Sequence, residues 1–329
     1  MRRFFAMVVF LAALVAGGAA FWVNQRLALT AETLDLTVAP GMSAGSVAQA
    51  IHDAGVQSHP WLLYAWFRLS GDARKIKAGS YEITRDVTPL TLLQKLVRGE
   101  QALRAVTLVE GWTFAQVRSA LLKAEHLTQS TQGLAPDLIM ESLGRAGVHP
   151  EGRFFPDTYT YAKGSPDLAV LKRAMQAMDE RLATVWQQRA PDSPLKTPDE
   201  ALILASIIEK ETGTPRDRPL IAGVFVNRLR IGMRLQTDPT VIYGLGSAFD
   251  GNLRRRDLLA DTPWNTYTRA GLPPTPIAMP GQLSLLAAVQ PQATPALYFV
   301  ARGDGSSHFS ESLDEHNRAV NRYQRGQIP

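Results

Sequence analysis

The sequence predicts an α+β protein in three parts: an N-terminal transmembrane helix, a small α/β module and a helix-rich α+β domain. Three observations carry that prediction. An uncharged apolar run stands directly behind Arg2 and Arg3. A strand, turn, cap and amphipathic helix recur three times between about 35 and 125. Beyond 126 the apolar spacing is mostly helical and ends in a hairpin pattern. The expected parts are 1–34, 35–125 and 126–329. With 45% apolar and 20% charged positions among 329 residues, the composition excludes a disordered or collagen-like chain.

The run from Phe4 to Val23 covers 20 residues, enough to cross a hydrocarbon core of about 30 Å. Gly18 and Ala20 would suit cleavage of a signal peptide. The run, however, continues through Phe21, Trp22 and Val23, which favours a retained anchor with Arg2 and Arg3 inside and the rest exported. No second run of that length occurs, so a single pass with the rest of the chain exported is expected. The stretch "NQRLALTAETLD" reads as a spacer which, extended, reaches about 40 Å.

In the module, the first copy of the pattern has Ser43 or Ser46 as cap and Val47 and Ile51 on its apolar face. The second has Thr88 before Pro89, followed by Leu92, Leu93 and Leu96; the third has Thr113 as cap, with Val117 and Leu121 inward. A Ser or Thr oxygen satisfies free amides of the first turn, and Pro at the first helical position loses nothing there. In the last part, Ser165-Pro166-Asp167 opens a long helix whose stripe is Leu168, Leu171, Met175, Met178, Leu182 and Val185. Residues 190–196 break it, and Thr197-Pro198-Asp199-Glu200 starts the next helix, which stops at Gly213. Thr214-Pro215 starts another, ending at Gly232, and "ALYFVARGDGSSHFS" reads as a hairpin around Gly303-Asp304-Gly305.

Lys and Arg number 35 against 30 Asp and Glu, a net charge of +5, and only 8 of the cations are Lys. The excess of Arg suits an anionic polymer, though base composition explains it equally. Nucleic acid is not an expected partner: export argues against it, and Arg254-Arg255-Arg256 lacks interleaved aromatics. The absence of Cys removes disulfides, thiolate nucleophiles and Cys-zinc sites. His308 and His316 lack metal-ligand spacing, and no phosphate or dinucleotide loop occurs, so neither metal nor cofactor is expected.

One carboxylate stands out. In "LASIIEKETG", Glu211 follows Leu204, Ile207 and Ile208 at helical spacing and so shares their apolar face. It also lies in the last turn, where the negative end of the helix dipole opposes ionisation. Both effects raise a carboxyl pKa, as a general acid requires. Glu209 is expected on the smaller, wetter side. Pairing with Arg228, or capping of a neighbouring helix, would explain Glu211 equally well.

The segment "LASIIEKETGTPRDRPLIAGVFVNRLRIGMRLQTDPTVIYGLG", with "NTYTRAGLPPTPIAMPG", "LVEGWTF", "EGRFFPDTY" and "HFSESLDEHNRAV", closely resembles the endolytic murein transglycosylases of the MltG/YceG-like family. The resemblance implies an anchor in the cell inner membrane, a LysM-like module and a catalytic lyase domain on the periplasmic side. It assigns the catalytic role to the second Glu of E-K-E-T, Glu211 here. It implies cutting of the β-1,4 bond after N-acetylmuramic acid within peptidoglycan glycan strands, with 1,6-anhydro ends as products. It also implies peptidoglycan synthases (penicillin-binding proteins) as partners. The matched motifs supply Gln236, Asp238, Tyr243, Asn265, Tyr267 and Thr268 as substrate-binding candidates, although Asp238 reads equally as a helix cap. One departure is Met279, at a position where the family pattern has Asn. Two other readings stay open: a hydrolytic muramidase using Asp238 beside Glu211, and a non-catalytic wall-binding scaffold.

Overall fold

The computed structural model describes residues 1–212 and 214–326. Gly213, where the sequence reading stops a helix, lies outside the described residues. The chain divides into two compact units: Met1–Arg104 with Thr160–Ser165, and Ala105–Tyr159 with the chain from Pro166 onward. Helix and sheet are mixed, and the sheets among the described residues are two-stranded.

The first unit opens with α1, Arg2–Val23, a 22-residue helix that is almost wholly exposed and apolar enough to cross a membrane. Strand β1 (Thr33–Val38) pairs antiparallel with β2 (Gly79–Thr84), Thr33 opposite Thr84 and Val38 opposite Gly79. Every second residue of β1 is buried, namely Leu34, Leu36 and Val38, because the strand covers the core with one face only. Between the two strands lie α2 (Ala44–Asp53) and α3 (Pro60–Leu69). Ser43, rather than Ser46, caps α2, accepting from the Ser46 amide at 3.1 Å. The sequence reading passed over α3, whose strongly apolar "PWLLYAWFRL" buries only Leu63 and Phe67. Helix α4 (Pro89–Arg98) carries the capping box of Thr88 and Thr91 and buries Leu92, Leu93 and Leu96.

The expected spacer after α1 is instead part of this unit. Val23 and Leu27 are each only 7% exposed and join its core, with Trp22 packed alongside. The Leu27 amide donates to Val87 O at 2.9 Å, Thr30 to Gly55 O at 3.1 Å, and Gln57 to Ala28 O at 2.7 Å. Burial of Leu27, packing of Leu29 and pairing of the 27–30 backbone outweigh the entropy of an extended tether. No free reach of about 40 Å is left.

The second unit begins in β3 (Leu103–Thr107), which pairs with β4 (Thr158–Ala162), the unit bounds falling within these two strands. Next come α5 (Phe114–Lys123), capped by Thr113, and α6 (Pro136–Ser142). The long helix α7 (Asp167–Gln187) buries Leu171, Met175, Met178, Leu182 and Val185 as the stripe required, with Val170 and Ala174 added and Leu168 only half-buried. Helix α8 (Pro198–Glu211) is capped by Thr197 and packs along α12 (Gln282–Val289) in the middle of the core. Helix α9 (Arg218–Arg230) begins later than Thr214-Pro215 suggested: residues 215–217 form a turn and Pro219 occupies the first helical turn. Helices α10 (Asp238–Leu245) and α11 (Arg255–Leu259) precede α12, and β5 (Tyr298–Ala301) and β6 (Ser307–Ser310) form the C-terminal hairpin. Helix α13 (Leu313–Tyr323) comes last and packs on that hairpin.

Gly55 secures the seat of α1. Its φ of +113° is closed to most side chains, and a Cβ there would meet Thr30 Oγ1 and the Leu34 side chain. Gly55→Ala is therefore expected to destabilise the first unit by about 1–3 kcal/mol, read from denaturant midpoints of the detergent-solubilised chain.

Candidate active site

Helix α8 ends where its apolar stripe meets a polar cleft. Leu204, Ile207 and Ile208 are fully buried, and Glu211 is the last helical residue, half-buried at the cleft floor. The cleft holds about 640 Å³. It is lined by Glu211, Arg228, Gln236, Asp238, Tyr267 and Tyr298, by Gly303, Gly305, Ser306 and Ser307 of the hairpin tip, and by His316.

Thr237 positions the carboxylate. It precedes α10 as its N-cap residue, but its hydroxyl does not cap that helix; it donates to Glu211 Oε1 instead. Thr237 is 2% exposed and held by a buried hydroxyl cluster: its amide donates to Thr266 Oγ1 at 3.0 Å, and Thr240 Oγ1 donates to Thr237 O at 2.7 Å. Burial raises the Glu211 carboxyl above its ordinary value. The Thr237 bond and the nearby Arg228 charge work against that rise, while Asp238 adds to it. Arg228 forms no bridge that would neutralise the acid: its Nε donates to Leu297 O at 2.7 Å and its Nη1 to Leu235 O at 2.5 Å. Its guanidinium also lies over Tyr298, 5.3 Å from the ring centroid, and His316 stacks on that same ring at 5.2 Å.

Glu209 departs from the expectation of a wet position. Its side chain is 8% exposed, accepts from the Gly281 amide at 2.9 Å and lies 3.6 Å from Arg218 Nη2. The reason is packing: the last turn of α8 is covered by the 279–281 loop and by the start of α9. That loop is tied in turn to the "LVEGWTF" segment, Gly111 donating to Met279 O at 2.8 Å and Met279 to Trp112 O at 2.7 Å. Met279, which stands where the family pattern has Asn, is fully buried.

Of the residues singled out in the sequence, the fold brings Glu211, Gln236, Asp238 and Tyr267 to one cleft. Tyr267 donates to Asp238 Oδ1, which helps push its own hydroxyl pKa up beyond the effect of burial. Gln236 has a left-handed φ of +49°, uncommon for a residue with a side chain. The other three sit elsewhere. Asn265 is fully buried, its amide donating to Leu258 O and Ala260 O, and it braces the turn that carries Tyr267. The Thr268 hydroxyl is bound to Asp261. Tyr243 donates to Glu151 Oε2 at 3.1 Å and meets Trp264 edge-on. Arg228 stood out in the sequence only as a partner for Glu211, His316 only as a rejected metal ligand and Tyr298 only as part of the hairpin; that the three line one cleft is not readable there because they come from segments far apart. Among the described residues, no group of three or more His, Asp or Glu is placed to hold a metal ion.

Residues 36–322 match the model of the YceG-like family. The chain is 30% identical over 308 residues to the endolytic murein transglycosylase of Bacillus subtilis (strain 168), covering 88% of this chain and 85% of that protein. It is 27% identical over 354 residues to the endolytic murein transglycosylase of Streptococcus pneumoniae (serotype 2, strain D39), covering 96% of this chain but only 64% of that longer relative. In fold it is similar to the crystal structure of a yceG-like protein from Listeria monocytogenes, with a TM-score of 0.54 and 28% identity over 87% of this chain and 99% of the other.

Glu151 offers a test of the buried electrostatics. It is 3% exposed and accepts from the Phe114 amide and the Tyr243 hydroxyl, and burial pushes its pKa up to about 7. The folded chain therefore holds a proton that the unfolded chain has already released, so stability falls as pH rises from about 4.5 to 7 and levels off above that. Glu151→Gln keeps an acceptor for Phe114 and lacks the ionisation. Between pH 5 and pH 8 its unfolding free energy should gain on the wild type by up to about 3 kcal/mol, measured by parallel denaturant titrations.

Proposed function

Because the chain belongs to the YceG-like family, we propose that it is a membrane-anchored endolytic lytic transglycosylase of peptidoglycan in which Glu211 is the single general acid and base. Both curated relatives carry the name endolytic murein transglycosylase. Glu211 is what carries this reading: a half-buried carboxyl, its pKa raised by burial and held by Thr237, at the floor of a cleft large enough for sugar rings. The β1–α2–α3–β2 arrangement supports reading 35–125 as a LysM-like module, and α1 supports an inner-membrane anchor with the catalytic domain in the periplasm. Glycan strands are the substrate, and peptidoglycan synthases are the proposed partners.

Ordinary glycosidases divide the work between two carboxylates. Here one does both steps. Protonated Glu211 gives its proton to the glycosidic oxygen as the bond to the muramyl anomeric carbon breaks. The Glu211 carboxylate then takes the proton of that sugar's own 6-hydroxyl while its oxygen attacks the same carbon. The acid is regenerated, a 1,6-anhydro ring closes and no water is consumed. Thr237 stabilises the carboxylate between the steps, and Asp238, fixed by Tyr267, puts negative charge near the developing oxocarbenium ion.

A hydrolytic muramidase is the second reading, because Asp238 places another carboxylate in the same cleft. Product mass separates the two: lytic ends are lighter by one water than hydrolytic ends, and a scaffold releases neither. On isolated glycan strands, the wild type should yield anhydro ends, and Glu211→Gln should lose at least about 10²–10⁴ of the rate while remaining folded. Hydrolytic ends that vanish in Asp238→Asn would favour the second reading. Thr237→Val removes the bond that favours the carboxylate, so the alkaline limb of the kcat/KM profile should move to higher pH. A limb unmoved in that variant would detach Thr237 from the acid.

A further inference from the structure

The exposed first turn of α3 lies at the end of the module from which α1 emerges. Chain direction requires it. Strand β1 starts at this end and β2 finishes there, with Thr33 opposite Thr84. Helix α2 runs back to it, since the Gly55 carbonyl receives the Thr30 amide, and Gln57 bonds Ala28 three residues before Pro60 opens α3. Val87, just beyond β2, receives the Leu27 amide. Three junctions, 24–32, 54–60 and 85–89, thus gather where α1 enters the core. From there α3 runs away for 10 residues, about 15 Å, toward Leu69.

Trp61 is 64% exposed and Leu62 41% exposed in that first turn. The exposure is large for an aromatic-aliphatic pair on a water-facing surface. The length of α1 decides what covers it. Trp22 and Val23 pack into the module, so the part of the helix free for lipid is Phe4–Phe21, 18 residues or about 27 Å. That is no longer than a hydrocarbon core of about 30 Å, so the end of the module bearing Trp61 must lie within the headgroup layer. Indole rings favour that layer, with the apolar ring toward the acyl chains and the N–H among headgroups.

Resting on the reading of α1 as a membrane anchor, we propose that Trp61 and Leu62 insert into the outer interface of the phospholipid bilayer, a second foothold that fixes the module's orientation on the membrane. The two contacts, α1 and the α3 tip, are separate points on one rigid core, so the module stands on the bilayer at a set angle instead of swinging on a tether.

The absence of cysteine allows single nitroxide labels to be placed on the full chain. Leu62→Cys, Leu69→Cys and Val15→Cys would each be labelled and reconstituted into phosphatidylethanolamine–phosphatidylglycerol vesicles. Collision with oxygen would be compared with collision with a water-soluble nickel chelate. The expected result is a label at 62 with an oxygen-to-nickel ratio several-fold above that at 69, and a label at 15 deeper still. Trp61→Ala should lower the ratio at 62. Equal water exposure at 62 and 69 with position 15 deep in lipid would overturn the proposal and leave the anchor standing. Equal protection at both would point to a second copy of the chain in place of lipid and would also overturn it. A water-exposed label at 15 would remove the anchor reading and this inference together.

Discussion

Everything at the cleft depends on one constraint: a carboxyl group has to sit half out of water at the negative end of a helix and still be able to ionise. Burial and the helix dipole both resist the charge. The hydroxyl of Thr237, aided by the nearby Arg228 charge, opposes them. The protein fixes the backbone from which that hydroxyl projects: Thr266 accepts from the Thr237 amide and Thr240 donates to its carbonyl. Packing of α8 against α12 fixes the other partner. The balance is between two rigid elements, and neither side chain could be set by local sequence alone.

That balance also explains why the neighbouring acids behave differently. Glu209 is as enclosed as Glu211, but it has Arg218 and the Gly281 amide as partners and serves to fasten the last turn of α8. Glu151 is buried more deeply and lies against Tyr243, away from the cleft lining. Three carboxylates in one domain are thus separated into one that lines the cleft, a fastener and a buried brace.

Local chemistry made much of this readable in advance. Thr88, Thr113, Thr197 and Pro198 announce helix starts because capping is settled within a few residues. The face of Glu211 followed from the positions of Leu204, Ile207 and Ile208. The wetness assigned to Glu209 failed because a loop from beyond residue 278 covers that side, which no helical spacing can report. Asn265 and Thr268 looked suited to sugars by type, yet their polar atoms are taken up by their own turn. The docked segment after α1 was missed because its apolar residues pack across the module, and α3 because its Leu63, Trp66 and Phe67 stripe is hidden among neighbours that are also apolar.

The walls of the cleft come from far apart along the chain. Glu211 is made first, whereas Tyr298, the hairpin tip and His316 arrive only with the last elements. A growing chain therefore carries its acid for some time before the enclosure around it exists. Under the role proposed for Glu211, competence is deferred until the hairpin and α13 have been made and docked, a timing safeguard written into the order of the segments.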